Sequence, residues 1–326
     1  MLTHVANTDK EHTKKVRRDN MKHENFTMRS DGFVGHLAEP DSGSDRAVII
    51  IMGGEQSILP GIKFAERFAD YGITGLAVSL FGAEGLPDSP DRIALDMFVP
   101  AVNYLRDVKN IRHICVYGQS MGSIFAELCA EKIGGFEKLI MVSPTHVPFE
   151  GTTADKKAMT GHSVVTWHGK ELPYVTADLS KLGAVKYYRH PAVPYKVTGM
   201  WAAYYKAYCG REAVRNAELS IEKCDADILL IAGAMDECWY AEYSVKRLAA
   251  RLKTKGFSRQ VKTIIYPHGS HLNGLMPNRS REKKLYRMIP LIGLMYRSFG
   301  RYRRDNMEYF QRSEKEIIAW IKGEKI

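Results

Sequence analysis

Six short apolar runs alternate with stretches of helical periodicity, and this alternation narrows the possible folds more than any other feature. The runs are Ala47–Met52, Thr74–Leu80, His113–Tyr117, Lys138–Val142, Ile228–Ala232 and Val261–Ile265. Most are apolar at successive rather than alternate positions, so both faces of each strand must be buried. Helical patterns follow from Gly61 to about Tyr71, from Ile93 to Val108 with a break at Pro100, and from Met121 to about Ile133. Two more run from Ser244 to Leu252 and from Glu308 to Ile321. Strands alternating with helices in this way imply an α/β architecture, a mostly parallel central sheet with helices on both faces. The segment Phe26–Leu37, turning at Asp31-Gly32, reads as an antiparallel hairpin at its edge. Residues 1–20 read as a disordered basic leader and 21–326 as one domain, with a less regular, cap-like insertion over about 144–224. An aromatic helical stretch, Met200 to Tyr208, lies inside that insertion.

Several function classes are disfavoured by composition. No apolar run approaches the roughly 18 residues that span a bilayer, so stable membrane anchoring is not expected. The polar, charged start lacks the apolar core of a secretory signal. Cys115, Cys129, Cys209, Cys224 and Cys238 are odd in number and lack CxxC spacing. They suit free thiols in a reducing cytoplasm, with no metal and no cofactor expected. The net charge of +10 is concentrated in the leader and in Arg281–Arg304. Neither cluster carries a helix-turn-helix, zinc-finger or RNP pattern, which argues against a nucleic-acid partner and leaves a polyanionic small substrate as a reading.

Gly118-Gln-Ser-Met-Gly122 is a G-x-S-x-G sequence that follows a buried strand and opens into a helix. That context is the setting of a nucleophile elbow of the α/β-hydrolase type: Gly118 and Gly122 let strand and helix approach, and the Ser120 hydroxyl projects from a strained turn. A serine hydroxyl needs a base, and the base needs an orienting carboxylate, in the chain order Ser, acid, His. Asp236 follows the run ending at Ala232, and His271 follows the run ending at Ile265. Both fall at the sheet edge expected for Ser120. Rivals are Glu237 for the acid and His268 for the base. His36 and His113 read as structural, while His146 and His162 read as exposed loop residues. The oxyanion hole should draw one backbone N–H from Met121 and another from Glu55, with Gly54 as the fallback.

The sequence resembles the acyl-CoA thioester hydrolase and bile acid-CoA:amino acid N-acyltransferase C-terminal domain family, close to the dienelactone hydrolases. The segments carrying the resemblance are Leu80–Pro87, Tyr117–Leu128, Trp167–Pro173, Leu230–Trp239 and Tyr266–His271. It implies acyl transfer from a thioester through Ser120, Asp236 and His271, to water rather than an amine because the nucleophile is Ser and not Cys. Three departures stand out. Met121 replaces the usual Lys, the oxyanion loop reads Glu55-Gln56-Ser57, and too little chain precedes Ala47 for the β-sandwich domain of the animal enzymes.

The stretch Arg281–Arg304 holds eight basic residues and one acid, Glu282. It reads as a lid-like segment whose Arg301, Arg303 and Arg304 meet the phosphates of a coenzyme A thioester. An interfacial helix on anionic lipid and a plain surface helix are the other readings. An acyl thioester or ester is the expected partner. A carboxylesterase or peptidase-like hydrolase, an amine-accepting acyltransferase and a non-catalytic binding protein are the alternatives.

Overall fold

A computed structural model describes residues 21–54, 56–155, 157–177, 187–209, 211–274 and 296–326. Eight strands make one sheet: β1 (Met21–Phe26), β2 (Gly35–Pro40), β3 (Arg46–Ile51), β4 (Thr74–Val78), β5 (His113–Gln119), β6 (Lys138–Val142), β7 (Asp227–Gly233) and β8 (Val261–Tyr266). Their spatial order is β1-β2-β4-β3-β5-β6-β7-β8. The first two strand pairings, β1 with β2 and β2 with β4, are antiparallel, and every later neighbour is parallel. This is the α/β-hydrolase fold.

The principal helices are α1 (Leu59–Ala69), α2 (Phe98–Asn103), α3 (Gly122–Leu128), α4 (Gly199–Cys209), α5 (Arg211–Ala217), α6 (Ala241–Thr254), α7 (Arg297–Arg301) and α8 (Arg303–Lys322). Strand alternation deals residues to two separate cores. Ala47, Ile49 and Ile51 of β3 join Phe98 and Ala101 of α2, Ile124 and Phe125 of α3, and Val245 and Leu248 of α6. Val48 and Ile50 face the other way, onto Phe64 and Phe68 of α1 and Ile317 and Ile321 of α8. Burying each such side chain contributes about 1.5–3 kcal/mol, so a strand apolar on both faces is fixed between two helical layers. The buried Arg67 of α1 donates from Nε to Glu314 of α8 at 3.0 Å and ties the two helices on that face together.

The register decides where the site can form. Ile51 lies opposite Gly118, Gln119 opposite Val142, and Gly233 opposite Tyr266. The loops after β3, β5, β6, β7 and β8 therefore leave one edge of the sheet together. The sheet also reverses its winding between β3 and β5, the place where open α/β sheets form a crevice.

Three local expectations are corrected. β1 and β2 do pair antiparallel, but Phe26 pairs with Gly35 and the connection carries a helical turn, Met28–Asp31. Thr27 caps that turn through its side chain, and Gly32 ends it at φ 76°, so Asp31-Gly32 is a helix terminus rather than a two-residue hairpin turn. The 93–108 helix does not break at Pro100, which sits in the first turn of α2 where its missing N–H costs nothing. Instead Ile93–Ala94 pairs with Val165–Thr166, and Tyr104–Val108 widens into a π turn. His146 is fully buried, not exposed.

Between β6 and β7 lie short strands, among them the hairpin Tyr187–Arg189 with Lys196–Thr198, and then α4 and α5. The residues 1–20 lie outside the described residues, as does most of the basic 281–304 stretch. Among the described residues no helix is long and apolar enough to cross a membrane.

Candidate active site

Ser120 sits between the end of β5 and the start of α3 with φ at 58°. A non-glycine residue held there costs about 1–3 kcal/mol and persists only where its surroundings impose it. The imposition comes from its flanking glycines. A Cβ on Gly122 would lie 2.1 Å from the Ile51 carbonyl oxygen, and one on Gly118 would lie 2.5 Å from that of Gly122. Strand β3, the turn and α3 thus touch backbone to backbone. The Ser120 N–H is satisfied by the Val142 carbonyl at 2.9 Å.

The other two triad candidates arrive on the loops after β7 and β8. The Ser120 hydroxyl donates to His271 Nε2 at 2.9 Å, and His271 Nδ1–H donates to Asp236 Oδ2 at 2.7 Å. Asp236 is 1% exposed and His271 7%. Asp236 Oδ1 also accepts the backbone N–H groups of Cys238 at 2.8 Å and Trp239 at 3.3 Å. The carboxylate is therefore held by the loop that carries it, with one oxygen free for the imidazole. This chain of bonds can move a proton from Ser120 to His271 and stabilise the cation that results.

The rivals point elsewhere. His268 pairs with Asp305 at 2.5 Å and stacks on Tyr302 with ring centroids 4.1 Å apart. Glu237 is buried, and its Oε1 accepts the Ser298 N–H at 2.5 Å. Burial is the main reason its carboxyl is pushed up to about 7, against the opposing hydrogen bond from Ser298. Cys238 shares the neighbourhood, with ligand-type atoms of Asp236, Cys238 and His271 all within 4.8 Å. Burial pushes the Cys238 thiol well up, so it is protonated at neutral pH.

Several neighbours carry no sequence signal of their own. Ser143, at φ 46°, donates from Oγ to the His271 carbonyl at 2.9 Å. Trp239 donates from Nε1 to the Ser143 carbonyl at 2.9 Å and meets the His271 ring edge-on at 5.2 Å. Tyr296 stacks over the same ring at 6.4 Å. Trp239 falls inside a segment of family resemblance, but only the fold brings the loop after β6 under it.

Of the oxyanion candidates, Met121 begins the helical turn next to Ser120. Gly54 is exposed on the loop after β3, and Glu55 lies outside the described residues. Arg301 lines a cleft of about 750 Å³ beside the acid loop, together with Arg189, Lys196, Arg297 and Glu237. Arg303 and Arg304 lie on the first turn of α8 and do not line it. Cys115, Cys129, Cys224 and Cys238 are free and buried.

Comparison with known proteins bears on the family and the fold. Human acyl-coenzyme A thioesterase 6 is 22% identical over 234 residues, covering 71% of this chain. The chain spans about half the length of that curated relative. A Klebsiella pneumoniae protein described as a candidate dienelactone hydrolase superposes with a TM-score of 0.50 at 12% identity, covering 93% of this chain and 98% of its own. An esterase of Pyrococcus furiosus gives 0.46 at 15% identity, covering 88% and 92%. At such identities the first structural likeness speaks for the fold alone. The family described as BAAT / Acyl-CoA thioester hydrolase C terminal matches residues 93–275, more than half of the sequence, and the chain belongs to that family.

Proposed function

We propose that this chain is a serine hydrolase of acyl thioesters, with Ser120 as nucleophile, His271 as general base and Asp236 as its orienting carboxylate. The observation that carries the reading is the unbroken pair of hydrogen bonds, 2.9 Å from Ser120 to His271 and 2.7 Å from His271 to Asp236. In the first half-reaction Ser120 Oγ attacks the acyl carbonyl as its proton passes to His271 Nε2. The tetrahedral oxyanion is held by the Met121 N–H and by a main-chain donor from the loop after β3, at Gly54 or Glu55. Collapse breaks the C–S bond, and His271 returns the proton to the departing thiolate. Water, activated by the same imidazole, then frees the acid and restores Ser120.

Thioester rather than ester as the leaving group rests on the family. The basic cleft supports a leaving group that carries phosphates. Arg301 is joined there by Arg189, Lys196 and Arg297, whereas Arg303 and Arg304 are secondary candidates. The test is hydrolysis of a panel of acyl-CoAs beside matched p-nitrophenyl esters, with Ser120→Ala as the control. Thioesters should win by at least about tenfold in kcat/KM, a transition-state preference of about 1.4 kcal/mol. If the esters win, the leaving group is misassigned, and activity persisting in Ser120→Ala overturns the mechanism.

A further inference from the structure

Glu237 follows Asp236 directly, yet its side chain takes a different partner. Its Oε1 accepts the backbone N–H of Ser298 at 2.5 Å, a contact across 61 residues of chain. The same short segment, Tyr296–Arg301, lays the Tyr296 ring over His271 with the planes only 14° apart. Two side chains of the acid loop thus reach the segment that covers the base, Glu237 at the Ser298 N–H and Cys238 at the Tyr296 side chain. Its backbone is anchored as well, since the Glu237 carbonyl accepts both the hydroxyl and the N–H of Thr198. Among the described residues its second carboxylate oxygen, Oε2, is buried without a hydrogen-bond partner, although the Ser298 side chain also favours the charged form. A buried carboxylate needs several partners to stay ionised.

We propose that Glu237 is a positioning residue of the site, fastening the Tyr296–Arg301 segment over His271 in its neutral form and releasing it when it ionises. The proposal rests on the serine hydrolase reading above and adds a control to it. The groups facing Glu237 favour that behaviour. On its own loop, Asp236 opposes a second negative charge, while Cys238 is a neutral thiol. From the loop after β8, His271 favours ionisation, and from the strand hairpin Tyr187 and Tyr195 are neutral phenols that feel its charge. The cations Arg189, Lys196, Arg297 and Arg301 line the cleft it shares, and His190 lies beside them. Burial outweighs the favourable partners and brings the carboxyl up to about 7.

The sign follows by linkage. With the segment lifted, Glu237 is solvated and titrates near the ordinary value of 4.5; with it seated, near 7. The seated form therefore binds the proton more tightly, and raising the pH from about 4.5 to 7 favours release by up to about a hundredfold.

The experiment measures the rate at which a fluorophosphonate labels Ser120 between pH 5.5 and 9, a readout that needs no assigned substrate. In the wild type the segment should be released as the pH rises toward about 7, so the rate relative to Glu237→Gln should fall several-fold over that range and stay level above it. Glu237→Gln keeps an acceptor for Ser298 but cannot ionise, so its own profile should lack this fall. Glu237→Ala should label at least about fivefold more slowly than the wild type at pH 5.5, and the two should converge at higher pH as the wild type releases the segment. The proposal is overturned if the ratio of the wild-type rate to the Glu237→Gln rate does not change as the pH rises toward 7. Should Glu237→Ala not fold, the Glu237→Gln profile decides alone. A wild type whose Ser120 takes no label at any pH overturns the hydrolase reading itself, a distinct failure.

Discussion

The two sides of the site are held by different kinds of force. On the nucleophile side the backbone does the fixing: Ser120 is strained at φ 58° because β3, the turn and α3 pack with no room for a Cβ at Gly118 or Gly122. On the base side the fixing is by side chains and hydrogen bonds. Asp236 holds His271, Ser143 holds its carbonyl, Trp239 holds Ser143, and Glu237 holds the segment beneath which His271 lies. Backbone locking is all-or-none, whereas a hydrogen-bonded assembly can be tuned or titrated. The nucleophile side should therefore respond to substitution through stability, and the base side through rate and pH.

The sharpest way to break the contrast is Asp236→Asn. The amide keeps an acceptor for Cys238 and Trp239 but favours the wrong imidazole tautomer, so kcat/KM should fall about ten-thousandfold while the urea midpoint moves little. A large loss of stability instead would show that the carboxylate is a structural strut.

A second probe is His146, on the same post-β6 loop as Ser143. It is fully buried, bonded through Nδ1 to Ser244 at 3.0 Å, and stacked against Tyr208. Burial holds its imidazole down at about 3, against an ordinary value of 6.5. The unfolded chain thus binds the extra proton first, and stability present above pH 6.5 is lost as the pH falls toward 3. The loss is of the order of 5 kcal/mol. His146→Gln should flatten the urea-stability curve over that window; an unchanged slope would place the acid sensitivity elsewhere.

The smallest expected effect tests the backbone side. Gly122→Ala must displace the Ile51 carbonyl, at about 3 kcal/mol, and should lower the urea midpoint and esterase activity together. A fully stable but inactive Gly122→Ala would blur the distinction between the two sides.

How much of this is legible in the sequence follows the same division. Strands apolar on both faces, and a G-x-S-x-G between strand and helix, are local patterns. They lead to the sheet, to Ser120, and by chain order to Asp236 and His271. Glu237 and Ser298 have no such pattern, because their bond joins a loop to a segment 61 residues away. His146 reads as exposed because loop histidines usually are; its burial depends on α4 and α6, which supply Tyr208, Tyr243 and Ser244. Asp31-Gly32 looks like a hairpin turn because a helix C-terminus ends in the same left-handed glycine, and only the Thr27 cap distinguishes them.

The central claim is that Ser120 is the nucleophile and His271 its base. Its most direct test is peptide mapping after fluorophosphonate treatment, with acyl-CoA and ester hydrolysis followed in the same sample. The account predicts one adduct, on the peptide carrying Ser120, formed in step with loss of both activities and absent from His271→Ala over the same time. An adduct at another residue, or hydrolysis that continues after Ser120 is fully modified, would contradict it.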